Sequence, residues 1–313
     1  MRVGLFIGDT TAGERTDVTT LLDAARWAEA NGFTTGWVPH IPWSLDGLTA
    51  VALAGQVTTT MQLGTAVMPT YPRHPLAMAH QALSANAAAG GRLVLGIGPS
   101  HPVVIERMHG LTYDAPAAHT REYVEAVRAA MAGPLVTHHG DRFDMEALLD
   151  VPGGATFPVL IAALAPLMLR VAGEVADGTI TYWADERALA THVIPRLTAG
   201  AMGAGRPQPK VVVGLPIAVV ASSEVDAARH EAASLFEGYL GIPTYERILG
   251  RGESRDPVDV AIIGDEAAVL SRLRSYASAG ATDLAAALVG LGPAPDATRQ
   301  RTADLLATLT PSL

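Results

Sequence analysis

Short apolar runs alternate with helix-patterned segments along nearly the whole chain, and this alternation constrains the fold more than any other feature. Val3–Ile7 is followed by helical spacing over Thr16–Asn31 (Leu21, Leu22, Ala25, Trp27, Ala28), stopped by Gly32. The pairing continues with strand Gly36–Val38 and helix Leu48–Thr58, strand Gln62–Val67 and helix Pro75–Ala89, and strand Arg92–Ile97 and helix Ala118–Met131. Val159–Ala163 precedes helix Pro166–Ala176, Thr179–Tyr182 precedes Asp185–Met202, and Val211–Val220 precedes Val225–Leu240. Asp265 caps a helix to Ala279, and Thr282–Leu288 is the last strand. Eight strands joined by helices is the count of an α/β TIM (β/α)8 barrel. A doubly wound sheet would want G-x-G-x-x-G after strand one, and GLFIGDTTAG does not supply it. Two stretches break the rhythm. LVTHHGDRF reads as a hairpin inside an insertion near 132–157, and the Gly-, Pro- and charge-rich 241–260 reads as a second insertion. No composition break separates domains, so residues 1–313 are expected to form one barrel.

Composition narrows the chemistry. Charged residues make up 17% of the chain, below the roughly 25% of an average soluble domain, which points to a large core and a partly covered surface. The net charge of −9 disfavours nucleic acid and anionic membranes as partners. The longest apolar stretch, Val211–Ala221, is interrupted by Pro216 and is too short to span a bilayer. No signal-peptide pattern opens the sequence, and a cytoplasmic protein is expected. There is no cysteine, which removes disulfides and thiolate chemistry. The only lysine, Lys210, follows a proline at the start of a strand, so a Walker A loop is excluded and a Schiff base disfavoured.

Several constellations sit where barrel strands end. Gly96-Ile97-Gly98-Pro99-Ser100-His101 follows strand four, and Ser100 and His101 could face a site there, or form a plain turn. His40 leaves strand two in GWVPH and could act as acid, hydrogen-bond donor or ligand, or be a satisfied structural histidine. Trp43, three residues on, could form a pocket wall. Ala162-Ala163-Leu164-Ala165 ends strand five, and Pro166 at the first helical position leaves amide donors suited to a phosphate, unless this is an ordinary turn. Metal motifs fail: His138-His139 lacks partners at ligand spacing, and Ser234 stands where His230-Glu231 would need a second histidine.

Five segments, in order, carry a resemblance to a known family: AARWAEANGFTTGWVPH (24–40), LGTAVMPTYPRHPLAMAHQ (63–81), GGRLVLGIGPS (90–100), PVLIAALAPLMLRVAGEVADGTI (158–180) and VAIIGDEAAV (260–269). The chain resembles the bacterial luciferase-like oxidoreductases, in the branch that uses the deazaflavin coenzyme F420. Members that use FMN share much of this framework. The resemblance implies a barrel with insertions and a homodimer, for which the alanine-rich helices Leu48–Thr58 and Pro75–Ala89 are the expected interface. It also implies a non-prolyl cis peptide at Ala66-Val67 behind the deazaflavin ring, flanked by Thr65 and Met68. Backbone amides of Ala162, Ala163, Leu164 and Ala165 would bind the cofactor phosphate, although many members carry glycine at the place of Ala165. Gly98, Pro99, Ser100 and His101 match the cofactor-side loop.

His40 matches a family histidine, but Pro39 replaces the acidic residue often found before it. His101 stands where the sugar-phosphate dehydrogenases of the branch have glutamate, and the lysines they use are missing, so a sugar-phosphate substrate is not expected. Trp43, Tyr71, Tyr182 and Trp183 are expected at the pocket rim, and 241–260 as a lid. The implied reaction is hydride transfer between F420 and an electrophilic carbon of a small organic substrate. An activated C=C or C=N bond comes first, then an alcohol or carbonyl, with His40 as proton donor or substrate-polarising group and His101 second. The alternatives are an FMN-dependent two-component monooxygenase and a non-catalytic flavin-binding barrel.

Overall fold

The computed structural model describes residues 1–10, 15–310 and 313. Eight parallel strands close a barrel: β1 (Arg2–Phe6), β2 (Thr35–Val38), β3 (Gln62–Thr65), β4 (Leu93–Gly98), β5 (Val159–Ala162), β6 (Gly178–Tyr182), β7 (Lys210–Val219) and β8 (Asp283–Leu288). Each pairs with its successor, and β8 returns to β1 with Arg2 opposite Asp283 and Leu5 opposite Ala286. The TIM barrel expected from the alternation is therefore the observed fold.

The helices form where the patterning places them, because their ends are chemically marked. Helix Val18–Ala30 starts where the Asp17 carboxylate accepts the Thr20 amide at 2.8 Å. It buries Leu21, Ala25 and Ala28 against the barrel and stops at Gly32, whose φ of +81° carries the chain into β2. Helices Gly47–Gly55 and Pro75–Ala88 meet at small residues: a Cβ on Gly55 would lie 2.6 Å from the Ala89 Cα. Ala50, Ala54, Ala79, Ala82 and Ala85 are buried within the chain itself, and Ala77, His80 and Ser84 are left on the surface.

Three expectations need correction. The apolar run predicts strand three to Val67, but β3 ends at Thr65; Ala66–Val67 is cis, and pairing resumes at Met68–Pro69 beside Ile97–Gly98. The helix expected over 225–240 ends at Leu235 and passes into a 3-10 turn at Glu237–Tyr239. The single helix expected over 185–202 contains a π turn at Leu189–Val193. Three elements have no counterpart in the sequence pattern: strand Ile262–Gly264, which pairs with β7, and the helices Pro102–Arg107 and Pro295–Ala307.

Both interruptions have structure. Leu135–His139 and Asp144–Leu148 form the antiparallel hairpin expected from the sequence. The 241–260 stretch holds helices Pro243–Leu249 and Pro257–Val260. It is tied down by Asp185 after β6, whose carboxylate accepts the amides of Ala188 (2.8 Å), Glu253 (2.7 Å) and Ser254 (2.8 Å). Burial alone would raise that carboxyl, but the amides of Ala188 and Ser254 hold it below the ordinary range.

Candidate active site

The barrel lumen is filled by Trp37, Val94, Leu160, Ile180, Val212 and Ala285, one side chain from each of six strands. Trp37 lies across it because glycine flanks it: a Cβ on Gly64 would be 2.4 Å from the indole ring, and one on Gly4 3.0 Å from Nε1. Above this plug sit Phe6, Ala66, Val67 and Ala162, apolar side chains that remain partly exposed. They come from the carboxyl ends of β1, β3 and β5. Gly98 lies between two of them, where a Cβ would be 3.0 Å from the Ala162 Cβ and 3.2 Å from Val67 Cγ2. The result is a shallow apolar shelf at the carboxyl mouth of the barrel, the end at which barrel enzymes build their sites.

The residues singled out from the sequence have distinct placements around this shelf. Ala66–Val67 is cis, as the resemblance implies. Thr65 is buried, and its hydroxyl both donates to the Gly96 carbonyl at 2.8 Å and accepts the Gly96 amide at 2.9 Å. Its hydroxyl proton is spent on stitching β3 to β4. Gly96 serves the same junction, since a Cβ there would be 2.0 Å from the Thr65 carbonyl oxygen. The glycines of Gly96-Ile97-Gly98 thus answer to strand packing first. Pro99 and Ser100 follow half-buried, with Ser100 in the left-handed region at φ +62°.

His40 leaves β2 with its ring held on one side. Nδ1 accepts the Gly47 amide at 3.1 Å, and Asp46 Oδ2 is 3.6 Å away. Burial holds the imidazole below its ordinary value, while the Asp46 charge pulls upward and Arg73 opposes it. Asp46 is itself held by the Thr49 amide, which it caps, and by Arg73 at 2.9 Å. His101 is half-buried, with its ring 5.4 Å from that of Tyr245, and burial lowers its basicity as well.

In the Ala162–Ala165 turn, Ala162 and Leu164 are half-buried, Ala163 is buried and Ala165 is exposed, and the turn ends in helix Pro166–Val175. Ala165 caps that helix without a side-chain hydrogen bond, so the cap leaves the first-turn amides unserved.

Of the expected rim aromatics, Trp43 is 52% exposed on the turn after His40. Tyr71 is stacked flat on His119 (3.9 Å, 2°) and donates its hydroxyl to the Asp114 carbonyl. Tyr182 is half-buried beside Tyr239. Trp183 is a correction: it is fully buried between Phe236 and Tyr239, both at 5.0 Å, and supports the wall from behind instead of lining it.

Three features lie outside the residues singled out from the sequence. Tyr239 and Tyr245 of the region 236–249 form an edge-to-face chain from Trp183 to His101, spanning the ends of β6 and β4. His119 lies buried under Tyr71 with Nε2 3.0 Å from Thr70 Oγ1. Its position on the apolar stripe with Tyr123 and Ala126 is the one hint of its burial. His192 sits beneath the Ala162–Ala165 turn. Among the described residues no cluster could hold a metal ion, and no helix is long and apolar enough to cross a membrane.

Comparison with known proteins bears on this site. The family described as luciferase-like monooxygenase matches residues 1–283. A 5,10-methylenetetrahydromethanopterin reductase from Methanolobus tindarius is 28% identical over 240 residues, 77% of this chain and 72% of the relative. Two solved structures share the fold across nearly the whole chain. The coenzyme F420-dependent tetrahydromethanopterin reductase from Methanopyrus kandleri has a TM-score of 0.73 at 20% identity, covering 99% of this chain and 97% of the other. The oxygenating constituent of 3,6-diketocamphane monooxygenase from Pseudomonas putida, in complex with FMN, has a TM-score of 0.75 at 18% identity, covering 98% and 96%.

Proposed function

The chain belongs to the luciferase-like monooxygenase family, and from that premise we propose that it is an F420-dependent oxidoreductase acting on a small organic substrate. The observation that carries this reading is the pairing of the apolar shelf with the uncapped helix. Phe6, Ala66, Val67 and Ala162 offer a flat face kept clear by Gly98, and Ala162 also begins the turn that delivers free amides to a phosphate. The donor set fits a flavin-like cofactor: apolar contact for a ring system at one end, and backbone N–H groups with a helix dipole for an anion at the other.

When bound, the deazaflavin supplies hydride chemistry at an electrophilic carbon. The chain's residues orient the ring, exclude water and place a proton. His40 suits the last role as a hydrogen-bond donor that polarises the substrate, because its occupied Nδ1 leaves a neutral ring with the proton held on Nε2. An activated C=C or C=N bond is the favoured substrate group, and exposed Trp43 and stacked Tyr71 favour a flat, moderately apolar molecule. The 241–260 segment, tethered by Asp185 and continuous with the aromatic chain to His101, serves as a cover for the mouth. The chain works as a cytoplasmic homodimer, pairing through the surface left by helices Gly47–Gly55 and Pro75–Ala88.

The F420-dependent reductase from Methanopyrus kandleri supports a deazaflavin, and the FMN-bound diketocamphane enzyme leaves FMN as the competing cofactor. The test is anaerobic oxidation of reduced F420 against a panel of activated alkenes and imines, followed by the return of the oxidised cofactor's visible absorption. Turnover that requires oxygen and reduced FMN instead would replace this reading with the monooxygenase one.

A further inference from the structure

The helical segment after β6 carries an irregularity with no part in the proposed function. Leu189–Val193 forms a π turn between Glu186–Ala188 and Ile194–Gly203. Such turns recur at functional sites. The helix on its carboxyl side is locked in place. Gly173 and Gly200 let helices Pro166–Val175 and Ile194–Gly203 meet backbone on backbone. A Cβ on Gly173 would lie 2.1 Å from the Leu197 carbonyl oxygen, and one on Gly200 2.5 Å from that of Arg170. With this register fixed, the π turn sets His192 under the loop that leads into Pro166.

His192 Nε2 lies 2.8 Å from the Leu164 carbonyl oxygen. A carbonyl can only accept, so Nε2 carries the proton. The residue is 4% exposed, and Nδ1 has no partner. A buried ring with one unmet nitrogen costs stability relative to an apolar side chain of similar size. Its one hydrogen bond goes to the turn that the proposed function assigns to the cofactor phosphate.

We propose that His192 is a positioning residue for that phosphate-binding turn. Leu164 C=O and Ala165 N–H belong to one planar trans peptide and point in opposite directions. Holding the Leu164 oxygen toward His192 therefore aims the Ala165 N–H away from the π turn, to the exposed side of the loop where Ala165 and Pro166 lie. The same bond orders the entry to an uncapped helix N-terminus, whose amides and dipole favour an anion. The inference rests on the proposed cofactor site and concerns how its anion end is held.

The test compares F420 with its phosphate-free deazaflavin core, and FMN with riboflavin, by equilibrium binding to wild type, His192→Leu and His192→Gln. Wild type is expected to prefer the phosphorylated member of a pair. H192L is expected to weaken that member about tenfold, the worth of one hydrogen bond, while leaving the phosphate-free partner unchanged. H192Q places an amide nitrogen at comparable reach and is expected to restore most of the preference. Thermal midpoints are read on the same samples, and His192→Asn, too short to reach Leu164, stands in if H192L does not fold. An unchanged preference in H192L, or a parallel loss for both members of each pair, overturns the role of His192. A wild-type chain that binds the pairs without preference overturns the assignment of the turn itself, and the inference with it.

Discussion

His40 Nδ1 accepts the Gly47 amide at 3.1 Å, so the first turn of the helix after β2 decides which nitrogen of that ring carries its proton. Burial keeps the ring neutral near pH 7, which leaves Nε2–H as the available donor. Replacing His40 by Ala or Leu is expected to lower turnover by about 10²–10³-fold, the usual contribution of one positioned hydrogen-bond donor at developing charge, with cofactor affinity little changed. The pH profile has a definite sign. Activity that uses the neutral ring falls only as pH drops through the depressed value, below the ordinary imidazole pKa of about 6.5. Steady-state kinetics across pH 5–8 on both proteins would check this, and unchanged turnover in His40→Ala would remove the histidine from the chemistry.

His119 has its pKa lowered to about 4, chiefly by burial and then by the nearby Arg142. Because the folded value is depressed, the unfolded chain binds the proton more readily. The stabilising effect of the neutral ring is fully present above pH 6.5 and is lost as pH falls toward 4. The span corresponds to about 3 kcal/mol at most. Urea titrations at pH 7.5 and 4.5 should show a drop that His119→Phe reduces, since Phe also preserves the stack under Tyr71.

Gly98 keeps the shelf clear between Val67 and Ala162. Gly98→Val would project a branched side chain into that space and is expected to weaken flavin or deazaflavin binding by at least tenfold. Overpacking should also cost about 1–3 kcal/mol of stability. Isothermal titration with the cofactor, beside a thermal melt, separates the two effects.

Asp185 gathers three amides, two of them from the 241–260 segment. Asp185→Asn removes the charge that strengthens those bonds, about 1–3 kcal/mol in all. The expected outcome is local: faster tryptic cleavage at exposed Arg251 or Arg255, with the barrel's own unfolding little changed. Limited proteolysis followed by mass spectrometry reports it directly.

The barrel is legible in the sequence because each strand is a short apolar run and each helix is bracketed by chemistry that marks its ends, such as Asp17, Gly32 and the prolines at 75 and 166. The strands' carboxyl ends can be located in the same way, which places His40, His101 and Ala162–Ala165 around one mouth. Local pattern cannot supply partner information. Nothing near Thr65 indicates that its hydroxyl is spent on Gly96, 31 residues away, and nothing near Trp183 indicates that Phe236 and Tyr239 cover it. His192 is hidden for the same reason: its meaning comes from Leu164 and from a π turn that hydrophobic spacing does not announce. Ile262–Gly264 escapes because a three-residue strand has too little alternation to register.

The claim on which the functional account rests is that the shelf and the turn hold a deazaflavin. Side-by-side binding titrations of the purified chain with F420 and with FMN test it most directly. Saturable binding of F420, clearly tighter than that of FMN, is the expected result. Tight binding of FMN with none of F420 would contradict it and make the chain the oxygenating half of a two-component system, and binding of neither would leave a barrel without a flavin cofactor.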